Sequence, residues 1–99
     1  MSQELAESDN TVFIGSKPAM SYVFAVITQF NRGEIRVHIK ARGKSISRAV
    51  DVAEILKSHF NNSLKVKNIS IGTDELTNSR GILSKVSNIS IDVEKPAKK

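Results

Sequence analysis

The segment Glu34-Ile-Arg-Val-His-Ile-Lys40 alternates strictly, with Ile35, Val37 and Ile39 on one side and Arg36, His38 and Lys40 on the other. Period-two patterning of this kind specifies a strand with one buried and one solvated face. It runs through Ala41-Arg42-Gly43-Lys44 into apolar positions spaced three and four apart: Ile46, Ala49, Val50, Ala53, Leu56 and Phe60. A change of period within so few residues requires strand, tight loop and helix in succession. The helix is expected from Ser45, placed to act as N-cap, to about Phe60. Ser47, Asp51, Glu54 and Ser58 form its solvent row, whereas Val52 and Ile55 fall outside the apolar stripe and suggest a second buried contact, such as a partner subunit.

The same order occurs once earlier. Thr11-Val-Phe-Ile-Gly15 is a short apolar run closed by glycine, and Ser16-Lys17-Pro18 opens a helix that runs to about Arg32 and stops at Gly33. Proline suits a first helical turn because its missing N–H would be unpaired there anyway. Met20, Val23, Phe24, Ile27 and Phe30 give this helix its apolar face, widened by Ala25 and Val26, and Phe13, Phe24 and Phe30 are expected in the core. After Asn61-Asn62, Lys65–Ile71 and Lys85–Val93 alternate as strands. The thirteen residues between them contain the turn signal Asn78-Ser79-Arg80-Gly81. So long a connection is either a loose loop or a hairpin whose strands project as an arm. The expected order is β-α-β-α-β-β, an α/β chain with α+β layering, a mixed sheet and two helices.

At 99 residues and 39% hydrophobic composition the chain supports one modest core. Residues 1–10 and 95–99 read as tails on a domain spanning 11–94. No run has the length of a membrane span, and the absence of cysteine leaves no disulfide or thiolate chemistry. Charge is more informative. Residues 17–48 hold Lys17, Arg32, Arg36, Lys40, Arg42, Lys44 and Arg48 against Glu34 alone, a balance of +6 (seven cations less one acid) within a net charge of +5. Cations gathered at two helix starts point to a polyanion.

Gly43-Lys44-Ser45 is the ending of a nucleotide-binding loop, but the glycine required five residues before Gly43 is His38, inside a strand. The nucleotide reading therefore fails; a phosphate-ester enzyme built on this loop remains as a third possibility, tested by turnover of ATP or of a nucleic-acid strand, with none expected. His38 and His59 lack metal-ligand spacing, His38 is expected in solvent, and Ser45 has no base to activate it. No enzyme activity, metal or cofactor is expected. Two helix N-termini remain, each following a strand, one flanked by Lys17 and the other by Arg42 and Lys44. Both favour phosphate through unpaired N–H groups and the helix dipole. Tyr22 is positioned either to stack on a base or to cap the core with its hydroxyl outward. Phe60 either covers the core or forms an exposed knob for self-association.

Val12-Phe-Ile-Gly15, Lys17-Pro-Ala-Met-Ser-Tyr-Val23, Ile39-Lys-Ala-Arg-Gly-Lys-Ser-Ile-Ser-Arg-Ala-Val-Asp-Val-Ala-Glu54 and Val86-Ser-Asn-Ile-Ser-Ile91 resemble the Alba family of small archaeal chromatin proteins that bind DNA and RNA. The resemblance covers roughly residues 11–94. It implies a fold like the C-terminal domain of a bacterial translation initiation factor, and a homodimer with paired central lysine loops and two hairpin arms. By position, Lys17 would contact the phosphate backbone. Arg42 and Lys44 would line the nucleic-acid face with Tyr22 nearby, and Arg80 and Lys85 on the arm would reach towards a minor groove. Phe60 matches the aromatic through which dimers stack on DNA. The implied role is sequence-tolerant coating of double-stranded DNA, with RNA as a second partner, in a cytoplasmic, chromosome-associated protein without a membrane partner. The alternative is an RNA-binding module of a ribonucleoprotein. Ser16 stands where many members carry a lysine, which removes that acetylation site, and Lys44 stands where some carry arginine, which loses the planar fork.

Overall fold

The computed structural model describes residues 10–96, and the terminal stretches 1–9 and 97–99 of the expected tails lie outside the described residues. The elements are β1 (Thr11–Phe13), α1 (Ala19–Asn31), β2 (Arg36–Arg42), a 3₁₀ turn (Gly43–Ser45), α2 (Ile46–His59), β3 (Lys65–Thr77) and β4 (Leu83–Glu94). Strand order in the four-stranded sheet is β1-β2-β4-β3. β1 and β2 are parallel, joined through α1, and the other pairs are antiparallel.

Register separates the two faces of the sheet. Val37, Ile39 and Ala41 of β2 lie opposite Val93, Ile91 and Ile89 of β4, and all are buried under the helices. Arg36, His38, Lys40 and Arg42 lie on the other face, opposite Glu94, Asp92, Ser90 and Asn88. The helices contribute Tyr22, Val23, Val26 and Phe30 from α1 and Ala49, Val52, Ala53 and Leu56 from α2. The result is the expected two-layer α+β arrangement.

Several expectations about individual residues are corrected. Phe13 pairs with Lys40 and so belongs to the open face, while its neighbour Val12 pairs with Ile39 and is buried. A three-residue strand is too short to display its own alternation. Phe24 is 59% exposed because the buried stripe of α1 runs through Tyr22, Val23, Val26 and Phe30, which leaves Met20 and Phe24 on the outer flank. Val52 is fully buried inside its own chain and Val50 is exposed, the reverse of what spacing suggested. Ser45 does not cap α2: it sits in the 3₁₀ turn, and its hydroxyl donates instead to the Gly15 carbonyl at 3.4 Å. His38 is not simply solvated, since its Nδ1 lies 2.6 Å from Asp92 Oδ1. Lys95, expected in the tail, is tied down by its N–H on Ile35 O at 2.7 Å and its Nζ on Phe30 O at 3.2 Å.

The long connection is a hairpin arm. Pairing of β3 with β4 continues from Lys65↔Glu94 to Thr77↔Leu83, leaving only residues 78–82 as the turn. β2 stops at Arg42, opposite Asn88, so β3 and β4 run on about five residues alone, roughly 16 Å at about 3.3 Å per residue.

Candidate nucleic-acid interface

Because β1 and β2 are parallel, both strand-to-helix loops leave the same edge of the sheet. Their contact is direct: Arg48 Nη1 donates to Gly15 O at 3.1 Å, and Ser45 Oγ reaches the same carbonyl. The first loop is held from below as well. The Tyr22 hydroxyl accepts the N–H of Gly15 at 2.9 Å and that of Lys17 at 3.1 Å. Tyr22 is thus spent on shaping the loop. With the residue only 2% exposed, its ring has no face free to stack on a base.

The second loop is shaped by Gly43, at φ +58°, where a side chain would be strained. A Cβ there would also meet Val86 Cγ1 of β4 at 3.4 Å. The loop therefore packs against the root of the arm. β4 is antiparallel to β2, so its first half, and the arm with it, projects from the same edge as the two loops. Lys17, Arg42, Lys44, Arg80 and Lys85, distant in sequence, share one end of the molecule, and all are exposed.

Their electrostatic setting differs from that of the rest of the sheet. On the open face, Arg36 and Lys67 both approach Glu94, at 3.4 and 3.6 Å, and His38 approaches Asp92. Among the described residues, no carboxylate lies within ion-pair distance of Lys17, Lys44, Arg80 or Lys85. Arg42 has only a loose, solvent-exposed approach to Asp74 at 4.0 Å. Exposed pairs of that kind contribute about 0–1 kcal/mol, so a phosphate can displace Asp74 readily. Neither helix carries an acid in its first turn, which leaves the positive dipole ends uncancelled.

Two residues missing from the sequence-derived set belong beside it. Lys40 and Phe13 line an open groove with Arg42, Asp74 and Asn88. The β2 alternation already placed Lys40 on the same face as Arg42. Only the β1 register reveals Phe13.

Phe60 lies at the opposite end of α2, some 20 Å from the basic loops at about 1.5 Å per residue. It is half-buried, edge-to-face with Phe30 at 6.1 Å and against His59 at 4.7 Å. It covers the core with one edge and presents the other to solvent.

Residues 10–73 match the family model described as Alba. The chain is 47% identical over 88 residues to the DNA/RNA-binding protein Alba of Methanocella arvoryzae, covering 89% of this chain and 92% of that protein. It is 55% identical over 73 residues to the protein of the same name from Methanothrix thermoacetophila, covering 74% and 82%. Among solved structures, Alba from Thermoplasma volcanium superposes with a TM-score of 0.79 at 48% identity, covering 87% of this chain and all of that one. ALBA1 from Trypanosoma brucei superposes at 0.74 with 27% identity, covering 91% and 72%. Sequence and fold agree: this chain belongs to the Alba family.

Proposed function

We propose that the protein binds double-stranded DNA, and RNA, through the phosphate backbone with little regard to sequence, and that it coats or bridges chromosomal DNA in the cytoplasm. The carrying observation is the convergence on one sheet edge of Lys17, Arg42, Lys44, Arg80 and Lys85, most of them without a carboxylate partner. Such charges neutralise phosphates and position a duplex, but they read no base edges. Relatives across the family are named DNA/RNA-binding proteins, which supports the same assignment.

A second surface supports a homodimer. Ile69 and Ile71 of β3 lie opposite Ile91 and Ile89 and so face the helix side of the sheet, yet they are 58% and 81% exposed. The helices end short of this edge strand. With Ile46, which lines a shallow groove beside Ile71, these residues form an apolar strip that a second copy would cover. Pairing two chains places ten cations on one duplex. Phe60, remote from that edge, would then be the contact between successive dimers. The ribonucleoprotein alternative loses its stacking aromatic with the burial of Tyr22. In this assignment the Gly43-Lys44-Ser45 turn binds phosphate without turnover, and His38 sits mid-strand against Asp92.

The test is binding of short random-sequence duplex DNA, duplex RNA and single strand across a salt series. Six to ten phosphate contacts per dimer give a slope of log affinity against log salt of about −5 to −9. Similar steep slopes on both duplexes support a general coating protein. Tight binding to one RNA form alone would replace that role with the ribonucleoprotein one, and no binding would refute both.

A further inference from the structure

The arm ends in an apolar tip that neither the core nor phosphate chemistry explains. Ile82 and Leu83 are 53% and 54% exposed, and Leu76 across the ribbon is exposed as well. These side chains sit on a built turn. Asn78 Oδ1 accepts the N–H groups of Arg80 at 2.8 Å and Ile82 at 3.0 Å, while the Asn78 N–H donates to Ile82 O at 3.0 Å. Gly81 closes the turn at φ +82°, a conformation that L side chains rarely adopt. The apolar pair is thus presented on a fixed support, and little freedom remains to be lost on contact.

The surroundings select the occupant. Residues 76–84 contain Arg80 and no acid, and Lys85 beside them lies opposite Glu75 but forms no ion pair with it, so the tip suits a polyanion with an apolar interior. Three side chains fall far short of the roughly 800 Å² per partner that a stable protein interface needs. The stacked bases of a duplex meet both conditions. Small apolar side chains inserted from the minor groove unstack base steps and kink the helix, and flanking cations hold the phosphates of the bent strand.

Building on the duplex-binding function proposed above, we propose that Ile82 and Leu83 form a wedge that each arm inserts at a base step of double-stranded DNA. Arg80 and Lys85 clamp the adjoining phosphates. Binding would then bend and locally unstack DNA as well as cover it. Preference should follow step flexibility, with pyrimidine–purine steps favoured, although no base edge is read.

The experiment uses the full chain with a duplex labelled at both ends for energy transfer and carrying 2-aminopurine at internal pyrimidine–purine steps. Saturating wild-type protein should shorten the end-to-end distance, with a bend in the range of roughly 20–90°, and raise 2-aminopurine emission. The I82S/L83S double variant should lose both signals and bind several-fold more weakly, with a wild-type salt slope because no cation is removed. Both side chains are already exposed, so folding should survive. If its Tm falls, L83S alone supplies the same readout. R80A/K85A should flatten the slope while retaining the emission rise at saturation. Salt-sensitive binding without bending or unstacking would overturn the wedge and leave the coating function intact, as would a double variant that still bends DNA. Failure of the wild type to bind duplex would overturn the coating function itself.

Discussion

The body and the arm use the same strands in opposite ways. Along β4, Ile89, Ile91 and Val93 are buried beneath the helices, whereas the end from Leu83 to Lys85 packs under nothing and is held by its ladder to β3. The body is therefore stabilised by burial and the arm by hydrogen bonds and a shaped turn. Apolar residues mean different things in the two regions. The proposals above assign the exposed isoleucines of β3 to a second copy of the chain and Ile82 of the arm tip to the duplex.

That contrast can be broken most severely in the core. Leu56 is fully buried, and Leu56→Ala should cost about 2–5 kcal/mol in denaturant unfolding. Ile82→Ala at the tip should leave the midpoint unchanged within error. A similar loss from both would mean that the arm folds onto the body. Next in size is the edge strand. I69D/I71D should convert the dimer to monomer in sedimentation without unfolding it, because both side chains are exposed within one chain. A dimer that persists would place the self-association surface elsewhere. The smallest effect sharpens the role of Tyr22. Tyr22→Phe keeps the buried ring and removes the acceptor of two backbone N–H groups, so stability should fall by about 1–3 kcal/mol. Duplex affinity should fall with it, at an unchanged salt slope, through the loosened Lys17 loop. A flattened slope would instead show that the loosened loop withdraws Lys17 from its phosphate.

Where a segment presses one face on the core, the sequence discloses it. The alternation of β2 and the period change into α2 mark strand, loop and helix because burial imposes those periods. The arm is exposed on both faces, so Gly72 to Ser84 carries no period, and its pairing emerges only from the register with β4. Position within a helix is harder to see than the helix itself. Val50 and Val52 exchange roles because Val52 lies in the true stripe with Ala49, Ala53 and Leu56 while Val50 lies beside it, and chemistry cannot distinguish two valines. The cationic edge was legible for Lys17, Arg42 and Lys44, which flank helix starts. Contacts across long separations were not. The His38–Asp92 pair, Arg48 on Gly15 and Tyr22 beneath the Lys17 loop join residues whose proximity is set by sheet order.

The claim that one edge binds phosphate is tested most directly by two charge-matched triple variants in a salt series on the same random-sequence duplex. K17A/R42A/K44A removes three cations from the loop edge. R36A/K57A/K67A removes three that already approach carboxylates elsewhere. The first should flatten the slope by about 0.9 per lost contact, six contacts per dimer, and the second should leave it close to wild type. Equal flattening by both variants would show that net charge alone drives binding, and would contradict a defined edge.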